Sequence, residues 1–330
     1  MQQCAGETNT AQRGQTPRPR NEGMPMPALT RRELLAVSAA TAAATGSAAE
    51  NKPTLCLFTK HLPHLGYKEL AATLRSLGFA GADLTTRPRG HVLPENVERD
   101  LPRAFEALAA EGIALPMIST GLLSSRDPAA RPTLYTAAEL GIPFFKLGYY
   151  RYRQYSDFDG HLSKIKQEVE SLAAIAGHAG ITGGFQNHSG TYVGSALWDH
   201  WWLLRDTDPT QIGFYFDPCH ATIEGGSAGW EIGFHRLQDR LKMVACKDFY
   251  WEKSGGEWRS RMCPLGQGMV DYPKFFKLLA ASGFTGPISL HVEYRIEATT
   301  EAQRIEREMQ AIESDFAYLK SVYASAYGAA

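Results

Sequence analysis

Four short motifs in the chain could do chemistry together: Gln186-Asn187-His188-Ser189, Asp217-Pro218-Cys219-His220, Lys247-Asp248 and His291-Val292-Glu293. Each closes a short apolar or β-branched run. Two carboxylates, Asp217 and Glu293, with the imidazoles of His220 and His291 and the amide oxygen of Gln186, make a mixed oxygen and nitrogen donor set. Such a set suits Mn2+, Mg2+, Co2+ or Zn2+, and the thiolate-rich set of structural zinc is absent. A divalent ion beside a sugar carbonyl polarises it and acidifies the neighbouring C–H, so that a base can remove the proton to give an enediolate. Reprotonation on the other face gives epimerisation, reprotonation at the next carbon gives aldose–ketose isomerisation, and loss of a β-leaving group gives elimination. All three fates remain open from the sequence.

Lys247, His91, Glu293 and His188 are the expected handlers of the proton and of the negative oxygen. Asp83, Arg89, Lys146, Asn187 and Asp248 end or follow other apolar runs and are expected to bind substrate hydroxyls. Each has a plainer reading. Asp217 before Pro218 could be a turn or cap residue, Gln186 and His188 could bond loop backbones, Lys247 and Asp248 could be a buried ion pair, and His91 could be an exposed loop residue. Trp198, Trp201 and Trp202 stand at helical spacing and read as packing rather than as a sugar platform.

These groups need elements that bring run ends to one place. From Lys52 onward, short apolar runs alternate with longer amphipathic segments, as in repeated βα units. Eight strands are expected at residues 54–58, 81–85, 114–119, 144–147, 183–187, 213–217, 243–248 and 288–293. Helices are clearest at 67–77, 97–110, 159–178, 272–281 and 299–323. Gly78, Gly112, Gly141, Gly180 and Gly283 follow helices as left-handed caps do. Polar groups at the C-terminal ends of eight successive strands describe the mouth of a single-domain (β/α)8 TIM barrel, α/β in class. Alternation along a strand puts Gln186 with His188, Tyr215 with Asp217, Ala245 with Lys247, and His291 with Glu293. Residues 249–270 break the rhythm and are expected as a long lid or substrate wall.

Residues 1–49 differ in kind. Arginines in a Gly/Pro-rich lead, Arg31-Arg32, an Ala-rich apolar stretch and small residues near Ser47-Ala48-Ala49 follow the order of a twin-arginine export signal. The expectation is a signal peptide and disordered lead over 1–49, with Met24 or Met26 as alternative starts, a mature barrel over 50–330, a periplasmic or otherwise exported location, and no membrane anchor after cleavage. Cys56, Cys219, Cys246 and Cys263 lack paired spacing, though Cys219 and Cys246 should end neighbouring strands and could pair. With 34 Lys and Arg against 35 Asp and Glu, a net charge of −1 offers no field for nucleic acid. The expected partner is a small sugar or keto sugar, with homo-oligomerisation left open.

The ordered motifs Gly81-Ala82-Asp83-Leu84-Thr85, Phe185-Gln186-Asn187-His188, Phe216-Asp217-Pro218-Cys219-His220, Cys246-Lys247-Asp248-Phe249, Pro264-Leu265-Gly266-Gln267-Gly268 and Ile288-Ser289-Leu290-His291-Val292-Glu293 resemble the sugar phosphate isomerase/epimerase family of xylose-isomerase-like TIM barrels. The resemblance covers about residues 52 to 325. It implies one divalent ion held by a Glu of strand five, an Asp of strand six, a His of strand seven and a Glu of strand eight. Asp217 and Glu293 match the second and fourth; Gln186 stands for the first and Ala245 for the third. The activity implied is that of an exported sugar isomerase or epimerase. A lyase or hydratase acting on 3-keto sugars or their glycosides is the alternative, and a non-catalytic carbohydrate-binding barrel is another.

Overall fold

A computed structural model describes residues 52–153 and 155–328; the expected export signal lies outside them. Eight parallel strands close into a barrel: β1 (Leu55–Phe58), β2 (Gly81–Thr86), β3 (Ala114–Thr120), β4 (Phe144–Lys146), β5 (Thr182–Gln186), β6 (Ile212–Phe216), β7 (Leu241–Cys246) and, after two strands outside the barrel, β10 (Ile288–Leu290). Leu55 pairs with Ile288 to join first and last strands. The helices that follow are α1 (Tyr67–Leu77), α2 (Val97–Ala110), α3 (Ala130–Glu139), α4 (Phe158–Ala179), α5 (Leu197–Leu204), α6 (Pro218–Leu237), α7 (Tyr272–Ala281) and α8 (Glu301–Tyr327). All eight expected strands and five expected helices are present. The sequence reading did not place α6, marked α3 only by the glycine that follows it, Gly141, and saw α5 only as tryptophan spacing.

Period-two alternation divides the side chains into two sets. Leu57, Leu84, Phe145, Phe185, Phe214, Val244 and Leu290 face the helices in one large apolar core. Met117, Tyr215, Met243 and Ala245 form a smaller cluster inside the barrel. Met243 fills that interior so closely that a Cβ on Gly184 would lie 2.0 Å from its Cε, which is why β5 carries glycine there. Above the cluster lies a polar layer. Asp83, fully buried, accepts hydrogen bonds from Ser119 at 2.7 Å and Ser289 at 2.8 Å.

β4 to β7 and β10 stop one or more residues short of the expected runs, so Leu147, Asn187, Asp217, Lys247 and His291 to Glu293 sit past the ladder ends. The five capping glycines all have positive φ. Residues 249–270 are largely an antiparallel hairpin, β8 (Asp248–Ser254) with β9 (Glu257–Cys263), rather than an irregular lid. Its two-residue turn, Gly255-Gly256, has φ of 61° and 87°, as the twist of a tight hairpin demands. The four described cysteines are free and buried, so Cys219 and Cys246 do not pair. Among the described residues no helix is long and apolar enough to cross a membrane.

Asp248 anchors the hairpin. Its Oδ1 accepts the Phe249 and Val270 N–H groups, and its Oδ2 those of Gly266 and Gly268, at 2.8 to 3.2 Å. Asp248→Ala is therefore expected to lower stability by about 3 kcal/mol or more, since four backbone donors lose a charged acceptor. Denaturant titration checks this, and Asp248→Asn should recover part of the loss. A neutral alanine variant would show that the loop holds itself.

Candidate active site

Lys247, one residue past β7 and 3% exposed, is the centre of the mouth. Its Nζ donates to Glu293 Oε2 at 2.9 Å and lies 3.1 Å from Asp217 Oδ2. Burial works against the Lys247 charge, yet Asp217 and Glu293 hold its ammonium well above the usual lysine range. Burial likewise opposes both carboxylates, and it is outweighed by Lys247 together with His220 and His291 at Asp217, and together with His291 and Lys60 at Glu293, so Asp217 lies below and Glu293 well below the ordinary carboxylate value. Glu293 gains a second cation at its other oxygen, because Lys60 Nζ donates to Oε1.

Asp217 is held on every side. It is the N-cap of α6, with Oδ1 accepting the His220 N–H at 3.1 Å. Asn187 clasps its backbone in both directions, accepting its N–H at 2.8 Å and donating to its carbonyl at 2.9 Å. The cap reading thus holds for this residue, whose other carboxylate oxygen faces Lys247. Gln186 Nε2 donates to Asp217 Oδ2 at 3.0 Å, and the Tyr149 hydroxyl donates to Gln186 Oε1 at 2.5 Å. An ionised carboxylate only accepts, so the amide must turn its NH2 toward Asp217.

Two histidines join, His188 from the loop after β5 and His220 from the first turn of α6. The His188 and His220 rings lie 3.9 Å apart between centroids. His188 Nδ1 donates to the Ser189 carbonyl at 2.8 Å, which leaves Nε2 as a free lone pair. Burial keeps His188 below its usual pKa and His220 well below, so both are neutral bases at pH 7. His220 Nδ1 meets Ser189 Oγ at 2.8 Å, and its buried Nε2, 3.7 Å from Asp217 Oδ2, has no hydrogen-bond partner among the described residues. Tyr149 packs edge-on to His188, and burial raises its phenol, keeping it a donor. Lys146 Nζ lies 3.6 Å from the centre of the Tyr149 ring, and burial, followed by Arg87, lowers its ammonium to about 7.

Other expected site residues are placed elsewhere. His91 spends both ring nitrogens on structure, Nε2 on the Leu62 carbonyl and Nδ1 on Thr85 Oγ1, tying the β1 and β2 loops. Asp83 belongs to the buried layer beneath, and Asp248 to the hairpin anchor. Arg89 is exposed in a turn with φ of 62°; Arg87 instead lies over Phe58, 5.3 Å from the ring centre. His291 stacks on the same Phe58 ring at 4.4 Å, with Nε2 3.4 Å from the Tyr215 hydroxyl and Nδ1 3.9 Å from Glu293 Oε1. Lys60, which the motif search passed over, was marked only by Thr59-Lys60-His61 directly following β1.

The donors do not fit a divalent ion held as the resemblance implies. An ammonium stands between the two carboxylates, Gln186 presents N–H where a lone pair is required, and Ala245 offers a buried methyl. Among the described residues no group of three or more His, Cys, Asp or Glu side chains is arranged to hold a metal ion.

Lys247→Met is expected to lower stability by about 3–5 kcal/mol at pH 7, because two buried carboxylates lose their shared cation. Adding Asp217→Asn should return part of it; strictly additive losses in a double-mutant cycle would show that the ammonium does not hold them. Both carboxylates have depressed pKa values, so the cluster's stabilisation is full above roughly pH 4 and is lost as pH falls through their native values.

The family described as xylose isomerase-like TIM barrel matches residues 71–320. Nothing among curated proteins matches the chain. Similar solved structures include D-psicose 3-epimerase with D-tagatose from Clostridium cellulolyticum H10, at 14% identity and TM-score 0.63 over 82% of this chain and 99% of that one. The 3-keto-D-glucoside 4-epimerase of E. coli aligns at 16% identity and TM-score 0.63, over 82% and 100%. The probable 3-DHS dehydratase of Bacillus anthracis aligns at 15% and 0.57, over 78% and 98%. At these identities the likeness carries the fold alone, and it agrees with the closed barrel. A family match over most of the chain, on a barrel of that form, establishes that this protein belongs to the xylose isomerase-like TIM barrel family.

Proposed function

We propose that the protein is an enzyme moving a proton at the carbon next to a carbonyl in a sugar or sugar derivative, an isomerase or epimerase in the first reading. The observation that carries this is the pairing, in one barrel mouth, of a neutral imidazole whose Nε2 is free, His188, with the charged Lys247–Asp217–Glu293 cluster. His188 Nε2 takes the proton from carbon, and the Tyr149 hydroxyl, its own proton committed to Gln186, accepts a hydrogen bond from a substrate hydroxyl. Glu293, 21% exposed at its side chain, is the carboxylate nearest solvent in the cluster. The epimerase neighbours support the substrate class, one of them acting on a 3-keto-glucoside.

A lyase acting on keto sugars or their glycosides is the second reading, and Gln186 favours it. Epimerisation through two bases requires a proton-exchanging group on each face of the carbon, whereas an amide exchanges none; elimination requires a base and a leaving group only. The dehydratase neighbour is consistent with that reading.

Incubation with ketohexoses and 3-keto glycosides in deuterated water, read by mass spectrometry and NMR, tests the proposal. Deuterium should enter the carbon beside the carbonyl, with epimer formation marking the first reading and an unsaturated product the second. His188→Ala should slow exchange about 100-fold or more. Sugar binding without exchange would leave a carbohydrate-binding barrel.

We also propose export through the twin-arginine route, on the strength of the order of charge, apolar stretch and small residues in 30–49. Replacing Arg31 and Arg32 by lysine should hold the protein in the cytoplasm on fractionation; unchanged distribution would reject the signal.

A further inference from the structure

We propose that the Lys247 ammonium is the resident cation of this barrel mouth, standing where relatives of the resemblance place a divalent ion, so that the site works without metal. Four observations converge. First, Lys247 Nζ lies 2.9 Å from Glu293 Oε2 and 3.1 Å from Asp217 Oδ2, the two carboxylates that match the family's ligands. A cation that bridges them must take this position or displace the ammonium. Second, the two ligand positions that differ have changed in a concerted direction. Gln186 turns its NH2 toward Asp217 because Asp217 and the Tyr149 hydroxyl leave it no other orientation. Ala245, two residues before Lys247 on the same interior face, leaves no imidazole beside the ammonium.

Third, charge is already balanced. Lys247 and Lys60 offset Asp217 and Glu293 one for one, so a dication would meet two ammonium groups against two carboxylates. Fourth, the pairing is built in. Asp217 is immobilised by Asn187 and by its cap role, and Lys247 is 3% exposed with its carbonyl accepting the Tyr272 hydroxyl at 2.6 Å. An ammonium has three N–H groups. Two are committed to carboxylates, and the third serves the substrate carbonyl oxygen, hydrogen-bonding it more strongly as negative charge develops there. The carbon-bound proton passes to His188 Nε2, and no oxidant or further reactant enters. The orphaned His220 Nε2 lies beside Asp217 Oδ2 at 3.7 Å, so removing the ammonium would leave two carboxylates and an imidazole free to close on a metal.

This cation assignment rests on the site geometry and holds whichever substrate the enzyme takes, so its test uses no substrate. Wild type, Asp217→Asn and Lys247→Met are incubated with excess Mn2+, freed of unbound ion by gel filtration, and assayed for metal by elemental analysis, with circular dichroism to verify folding. Wild type should carry no more Mn2+ than Asp217→Asn, and folded Lys247→Met should gain near-stoichiometric Mn2+. Wild type retaining one Mn2+ per chain that Asp217→Asn lacks would overturn the proposal, as would a folded Lys247→Met that gains none. Should Lys247→Met fail to fold, the comparison of wild type with Asp217→Asn decides alone. Failure of the deuterium-exchange experiment would remove the assigned reaction and leave this result standing.

Discussion

The mouth of this barrel depends on one ammonium shared by two carboxylates. Lys247 follows β7, Asp217 follows β6 and Glu293 follows β10, so its two contacts draw together the ends of three adjacent strands. Burying three charges carries a heavy desolvation cost, and such clusters persist where geometry is good and every remaining lone pair is occupied. That condition is met at Asp217, whose oxygens also accept from Gln186 and from the His220 backbone, and at Glu293, whose second oxygen meets Lys60. The orientation of Gln186 and the depressed pKa values of both carboxylates follow from where this charge sits, while burial keeps the two histidines neutral.

Polarity rises in steps along the barrel axis. Met117, Tyr215, Met243 and Ala245 fill the interior. Asp83, Ser119 and Ser289 form a closed hydrogen-bonded layer above them, and His291 and the Tyr215 hydroxyl link that layer to Glu293. A buried carboxylate such as Asp83 is tolerable because its partners are short-chained hydroxyls on neighbouring strands, which reach it without rotamer strain. The layer gives the charged mouth a polar floor in place of an apolar one.

The rim is organised by a different device. Asp248, adjacent to Lys247, turns away from the mouth and gathers four backbone N–H groups from both sides of the β8–β9 hairpin. Consecutive residues therefore do opposite jobs, one joining the charged cluster of the mouth and the next holding the loop that flanks it. Period-two alternation at a strand end is the physical reason, since neighbours must face opposite ways. The hairpin carries Tyr250, Trp251 and Trp258 on its exposed surface, the last at 62% exposure.

By itself the sequence determined the barrel, because alternating runs and helix-ending glycines are local signals that each βα unit repeats. It also located Asp217, Lys247, Glu293, His188 and Gln186, since apolar runs ending in polar groups mark strand C-termini. The β8–β9 hairpin with its Gly255-Gly256 turn was not read from the sequence, where 249–270 stood only as a lid or substrate wall. Only the tertiary structure decided what these groups do to one another. Lys60 meets Glu293 across 233 positions, Lys247 meets the same residue across 46, and Gln186 meets Asp217 across 31. Those meetings depend on closure and register, which no local pattern encodes. The same holds for His91, Asp83 and Asp248, whose types suited chemistry but whose lone pairs and protons were already taken by backbone and hydroxyl groups. A residue's chemistry is written in its type, whereas its availability is set by the partners that folding brings to it.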